Sequence, residues 1–307
     1  MEVALGEAVA ALDCGTNSTR LLIKAPGVPD VRRMTVTRLG RAVDATRHLA
    51  PEAIERTLAV LGEYRELMDR HRVTRARLVA TSAVRDATNG NEFLKAASDV
   101  SGVSAELLDG EAEGALAFAG ATAALDFAPS EVAIIDIGGG STELVTGSAG
   151  VRGISLDLGC VRLTERFLHH DPPWPDELDS AARFVDVELD RAAVALPVLS
   201  ERALTLVGLA GTVSTLAALA QGLAGYDRDR IHHFVLAATV VEEWFDRLAA
   251  ETTAERARRP AIVAGREDVI VGGILVLRQA MRRFAFDRCV VSEADILDGI
   301  VASLLGA

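Results

Sequence analysis

Two stretches of this chain carry matched chemistry. Ala11-Leu-Asp-Cys-Gly-Thr-Asn-Ser-Thr-Arg-Leu-Leu-Ile23 can be laid over Ile134-Ile-Asp-Ile-Gly-Gly-Gly-Ser-Thr-Glu-Leu-Val-Thr146. Asp13 then falls on Asp136, Gly15 on Gly138, Ser18 on Ser141 and Thr19 on Thr142. Each copy is an apolar run ending in a carboxylate, followed by a turn of Gly and hydroxyl residues. Such a turn exposes successive backbone N–H groups, which together make a concavity for an anion. Hydroxyls at Thr16, Ser18, Ser141 and Thr142 add donors, and Gly138, Gly139 and Gly140 let a phosphate approach the backbone closely. A carboxylate beside such a loop repels phosphate unless a cation lies between them. Asp13 and Asp136 therefore point to Mg2+, held through oxygen ligands and water and shared with the phosphates. Either Asp alone could equally cap a turn; their pairing favours the metal.

A third loop, Gly208-Leu-Ala-Gly-Thr212, lies between an expected strand and helix and could present N–H groups to an anion. Glycine there would also serve helix packing. Hydrolysis needs a group that orients or deprotonates water. Glu111 and Glu113 open an Ala-rich helix after Asp109-Gly110. They stand about 200° apart around the helix, so they cannot share a face. Capping suits either one, and the residues alone do not say which meets solvent. Arg85 follows the buried run Thr81-Ser-Ala-Val84 and suits bidentate phosphate binding or a surface ion pair. His169-His170-Asp171 precedes a Pro-rich loop with no partner cluster, so a metal role is not expected there.

These groups need a frame. Apolar runs predict strands at Val9–Leu12, Leu21–Lys24, Val31–Arg38, Leu78–Thr81 and Ser104–Leu108. Helices are expected at Pro51–His71, from Asn89, and over Glu111–Leu125. Ala128-Pro129-Ser130 marks a boundary. Strands follow at Val132–Ile137, Thr142–Thr146 and Val151–Leu156, and then a helical half broken by the strand Leu204–Gly208. Asp287–Val291 is the last strand, and Ser292 with Asp295 predicts a capping box opening a final helix to about Leu305. The repeat implies two lobes on one plan, facing each other across a cleft.

At 307 residues, 50% hydrophobic and 25% charged, the chain has enough material for two cores. No apolar run spans a bilayer, and the start lacks a signal peptide's pattern. Three scattered cysteines, Cys14, Cys160 and Cys289, suggest a reducing, cytoplasmic setting. The formal net charge of −12 argues against nucleic acid as a partner. Arginines nonetheless crowd residues 28–86, among them Arg32, Arg38, Arg41, Arg56, Arg65 and Arg77. They read either as solvated helix faces or as a basic track for a polyanion.

The chain resembles the exopolyphosphatase / guanosine pentaphosphate phosphohydrolase (Ppx/GppA) family, within the actin–Hsp70–sugar kinase superfamily. The segments that carry this are Leu12–Arg20, Ala80–Ala87, Gly110–Gly114, Ile135–Leu144, Ser155–Leu163, Gly208–Thr212 and Gly265–Ile270. The resemblance implies an α/β fold of two actin-like (ribonuclease H-like) domains, residues 1–127 and 128–307, with the C-terminal helix near 294–307 packing back on the first. It implies Glu113 as the base on the attacking water and Asp136 as the carboxylate placing metal and water. Asn17, Ser18, Gly138, Gly139, Gly140 and Ser141 would cradle phosphates, and Arg85 would contact the phosphate chain. Glu143 would support the metal beside Asp13 and Asp136, and Gly211 and Thr212 would form the nucleotide-side loop. Length matches the short two-domain form of actinobacterial type, and relatives suggest a homodimer, for which Val269–Leu277 is either core or interface.

The expected activity is Mg2+-dependent release of terminal phosphate from inorganic polyphosphate. Hydrolysis of guanosine pentaphosphate, a sugar- or acetate-type kinase, and a non-catalytic polyphosphate or alarmone sensor are the alternatives. No membrane partner is expected.

Overall fold

The computed structural model describes residues 7–123, 125, 128–147, 150–200 and 204–306. Two compact units emerge: the chain up to Gly120 with Ile296 onward, and Ala121–Asp295.

The first unit runs β1 (Val9–Cys14), β2 (Ser18–Lys24), β3 (Val31–Val36), α1 (Val43–Thr46), α2 (Pro51–Arg70), β4 (Arg75–Ala80), α3 (Ser82–Asp86), α4 (Gly90–Ser101), β5 (Ala105–Leu107) and α5 (Gly110–Thr122). Among the described residues its sheet has the order β3-β2-β1-β4-β5. β1 and β2 form an antiparallel hairpin, with Asp13 opposite Arg20. β1, β4 and β5 are parallel, with Cys14 beside Ala80 and Ala80 beside Leu107. The alternation of a strand sends Ala10, Leu12 and Cys14 to one face. There they pack with Leu61, Tyr64 and Met68 of α2 and Phe93 and Ala97 of α4.

The second unit runs β6 (Val132–Ile137), β7 (Thr142–Thr146), β8 (Arg152–Leu156), α6 (Cys160–Phe167), α7 (Pro175–Ala195), β9 (Thr205–Leu209), α8 (Ala210–Ala220), α9 (Arg228–Ile231), β10 (Val235–Ala237), α10 (Ala238–Ala249), α11 (Thr253–Arg256), α12 (Ile270–Arg283) and β11 (Arg288–Val291). Its sheet has the order β10-β11-β9-β6-β7-β8, with β6, β9 and β11 parallel. α12 is the hub of the helical layer, packing against α6, α7, α8 and α10. Gly272 permits this, because a Cβ there would press on Thr164 and the Cys160 carbonyl of α6. Val269–Leu277 is therefore core, and it offers no exposed face for a dimer.

α13 (Ile296–Leu305) returns to the first unit and packs against β1, β2 and β4. Gly299 brings it close to α5, since a Cβ there would strike the Leu116 backbone. Ser292 does not cap this helix. Its hydroxyl donates to the Ala294 carbonyl at 2.8 Å and accepts from the Ala294 N–H, which closes a local turn, and α13 starts four residues later. Strand β10, within a stretch expected to be helical, is a three-residue edge. No helix among the described residues is long and apolar enough to cross a membrane.

Candidate active site

In the first unit, β1, β4 and β5 end side by side, so the loops that follow them share one sheet edge. Open α/β sheets bind ligands outside the carboxyl ends of their parallel strands. After β1, the Gly15 N–H donates to the Ser18 carbonyl at 3.0 Å and closes the turn. Residues 37–40 brace that turn from behind. The Gly40 N–H donates to the Thr16 carbonyl at 2.8 Å, and the N–H groups of Thr37 and Arg38 donate to the Asn17 carbonyl. Gly40 has to lack a side chain, because a Cβ would collide with Thr16 and Ala83. The carbonyls are spent, while among the described residues no partner takes the N–H groups of Thr16 and Asn17. Asn17 is buried, and its Nδ2 likewise has no hydrogen-bond partner among the described residues. Ser18 is half-buried at the start of β2.

The loop after β5 decides between the two glutamates. Asp109 caps α5, its Oδ1 accepting the Ala112 N–H at 2.8 Å, so neither Glu is needed as a cap. α5 buries Gly114, Ala117, Phe118 and Ala121. Glu113 sits one turn before Ala117, and its side chain is only 13% exposed, whereas Glu111 lies in solvent. Arg85, in α3 after β4, places Nη1 3.7 Å from Glu113 Oε2 and donates to the Leu108 carbonyl at 3.0 Å. Arg85 and Glu113, distant in sequence, thus form one group.

The second unit repeats the turn. The Gly138 N–H donates to the Ser141 carbonyl at 3.0 Å, the counterpart of Gly15 and Ser18. The bracing element here is the start of α6. The N–H groups of Cys160 and of Val161 and Arg162 donate to the Gly138 and Gly139 carbonyls respectively, and Arg162 Nε donates to the Gly140 carbonyl at 2.7 Å. Gly159 plays the part of Gly40: a Cβ there would collide with the Gly139 backbone. Among the described residues, the N–H groups of Gly139, Gly140 and Ser141 have no partner. The Thr142 hydroxyl, expected among the donors, is instead spent on the Leu158 carbonyl at 2.7 Å, which ties β7 to the segment before α6.

The two hairpins differ in charge. Arg20 donates from Nε and Nη2 to Asp13 Oδ2, at 2.9 and 2.6 Å. At the corresponding place in the second unit, Asp136 faces Glu143 across the strands, and Glu143 faces Ser155. Directly opposed residues share a sheet face, and like charges so placed destabilise. Both carboxylates are buried, and the Ser155 hydroxyl donates to Glu143 Oε1 at 2.7 Å. Two carboxylates and a hydroxyl in one row suit a hard cation that keeps part of its water shell, as Mg2+ does. Among the described residues no cluster of three or more His, Cys, Asp or Glu side chains could hold a metal.

The third loop leaves β9 beside the turn after β6, with Leu209 paired to Asp136. Gly211 and Thr212 lie in the first turn of α8. The Arg266 guanidinium lies beside the half-buried Gly211, and Thr212 is buried against Gly273 of α12. His170 pairs with Glu177 at 2.8 Å and stacks on Trp174, while Asp171 pairs with Arg256. Much of the arginine-rich stretch is structural: Arg32 pairs with Asp298, Arg77 with Glu106, and Arg56 donates to the Thr37 carbonyl. Burial pushes the Cys160 thiol up to about 11 and Cys289 up to about 12, and it raises Cys14 as well, so none is poised as a nucleophile. Arg20, Gly40, Gly159 and Arg162 were not predicted as supports of the site. The sequence signals for Arg20 were its alignment with Glu143 in the repeat and its place at the end of the Leu12–Arg20 segment.

Comparison with known proteins gives a consistent set of relatives. The Ppx/GppA phosphatase family profile matches residues 27–307. The chain is 45% identical over 316 aligned residues to Exopolyphosphatase 2 of Mycobacterium tuberculosis, covering 97% of this chain and 98% of that one. A crystal structure of the Aquifex aeolicus Ppx/GppA family member is 35% identical, with a TM-score of 0.80 and 97% of both chains covered. An exopolyphosphatase from Cytophaga hutchinsonii is 25% identical, with a TM-score of 0.89 and 98% of both chains covered.

Proposed function

This chain belongs to the Ppx/GppA phosphatase family, and from that premise we propose that it is an exopolyphosphatase, releasing terminal orthophosphate from linear inorganic polyphosphate. The observation that carries this reading is the pair of matched turns whose carbonyls are held from behind while their N–H groups stay available. A linear chain of phosphates offers what such turns bind, anionic oxygens without a required base or sugar.

Glu113 takes a proton from the attacking water as its oxygen bonds to the terminal phosphorus. The anhydride P–O bond breaks, and the departing chain, one phosphate shorter, keeps the bridging oxygen. Arg85, at 3.7 Å, orients the Glu113 carboxylate and lies within reach of phosphate oxygens. Asn17 and Ser18 in the first turn, and Gly138–Ser141 in the second, hold phosphoryl oxygens. Asp136 and Glu143 would hold a Mg2+ ion, which when bound offsets negative charge on the phosphates. Asp13 we assign to holding its hairpin through Arg20, since one of its oxygens already has a cation.

The Glu113→Gln variant is the direct test. Phosphate release should fall about 10³-fold while polyphosphate binding persists. Near-parental turnover would remove Glu113 as the base. Guanosine pentaphosphate in the same assay separates the two substrates of the family's name. We place the enzyme in the cytoplasm, because its three cysteines are free thiols. A homodimer rests on the family resemblance, and sedimentation at working concentration tests it.

A further inference from the structure

Ser82 has no role in the scheme above, yet its position is central to the first unit. β4 is the middle of the three parallel strands, flanked by β1 and β5. The loop after β1 holds Thr16 and Asn17, and the loop after β5 leads to Glu113. Thr81 and Ser82 leave β4 between them, and Arg85, which pairs with Glu113, is one turn further along the same short helix. The next residue, Ala83, packs close enough to the first turn that a Cβ on Gly40 would touch both it and Thr16.

The Ser82 side chain is buried, with the residue 2% exposed. Its Oγ nevertheless has no hydrogen-bond partner among the described residues. A buried hydroxyl left in that state is costly and calls for a reason. On the loop after the neighbouring strand β1, Asn17 Nδ2 is in the same state. Nδ2 only donates, so what it lacks is an acceptor, and a hydroxyl can be satisfied by the same kind of partner. Two buried donors on adjoining loops, beside a Glu–Arg pair, match an acceptor with several oxygens.

We infer that the Ser82 hydroxyl donates a hydrogen bond to a phosphoryl oxygen of bound polyphosphate, making Ser82 a substrate-binding residue alongside Asn17. This rests on the exopolyphosphatase reading. The serine positions the phosphoryl group from the start of α3, after the strand that lies between those leading to the phosphate turn and to the general base.

Two variants test it. Ser82→Ala removes the hydroxyl, and Ser82→Cys keeps nearly the same volume with a much weaker donor. Phosphate release from polyphosphate of defined length is measured with thermal unfolding of each protein. Both variants should lose about 10²-fold in kcat/KM, with a melting temperature equal to or above the parent's, because no protein–protein hydrogen bond is removed. Parental kcat/KM in either variant overturns the inference. So does loss in Ser82→Ala with recovery in Ser82→Cys, which marks a packing role. A drop in melting temperature in both variants that accounts for the lost activity overturns it too. If the parent releases no phosphate from polyphosphate, the proposed function fails and this inference with it; a parent that is active beside unaffected variants sinks the inference alone.

Discussion

Arg20 and Glu143 occupy the same place in two copies of one hairpin, and they give the neighbouring aspartates opposite needs. Asp13 receives its positive charge from within the chain. Asp136 stands beside a second buried carboxylate, the pair to which we assign the Mg2+ ion. Substitution should separate these needs. Glu143→Gln should raise the Mg2+ concentration for half-maximal activity at least about tenfold. Asp13→Asn should leave that concentration near the parent's but lower stability by about 1–3 kcal/mol, since Arg20 loses its carboxylate. A magnesium titration and a thermal melt on each variant would show this, and the reverse pattern would place the metal at Asp13. The matched aspartates were legible in the sequence because their spacing repeats. The charge difference lay in the same strings, but its meaning needed the strand register, which sets side chain against side chain. Ser82 was legible only as a member of a buried run, since the loops beside it come from strands far apart in sequence.

At the scale of elements, each phosphate turn is shaped by a second segment that closes on its carbonyls: residues 37–40 in one unit, the start of α6 in the other. Gly159→Ala should be more disruptive than an ordinary surface change. The new methyl meets backbone of Gly139 and Gly140, not a side chain that could turn away. Overpacking of this kind costs about 1–3 kcal/mol. Here it should also displace the Gly139 N–H, so phosphate release should fall more than stability does. Parental activity at a reduced melting temperature would mean that the turn tolerates a shifted α6. The strands that carry these turns were readable from apolar runs, with Val132–Ile137 and Thr142–Thr146 found as expected. The Ser292 cap was not, because a serine can satisfy a turn of its own as readily as a helix. Edge strand β10 is too short to show a period of two.

The whole molecule is assembled from a chain that leaves its first unit and returns to it. α13 buries Ile296, Leu297, Ile300 and Val301. Each such side chain contributes about 1.5–3 kcal/mol when fully buried. The four together rival the 5–15 kcal/mol that typically holds a domain folded. A chain ending before Ile296 should therefore lose the cooperative unfolding of the first unit while the second keeps its own transition, seen by calorimetry or amide exchange. Retention of amide protection in β1 and β4 in that truncated chain would show that α13 is dispensable.

That return path also sets a timetable for biosynthesis. On the ribosome, β1, β2 and β4 emerge before the whole of the second unit, and α13, which packs on them, emerges after it. The second unit is contiguous and can complete its core while the first is still waiting. The oldest strands of the nascent chain therefore wait, with the face that α13 covers unpartnered, until α13 has followed the second unit out.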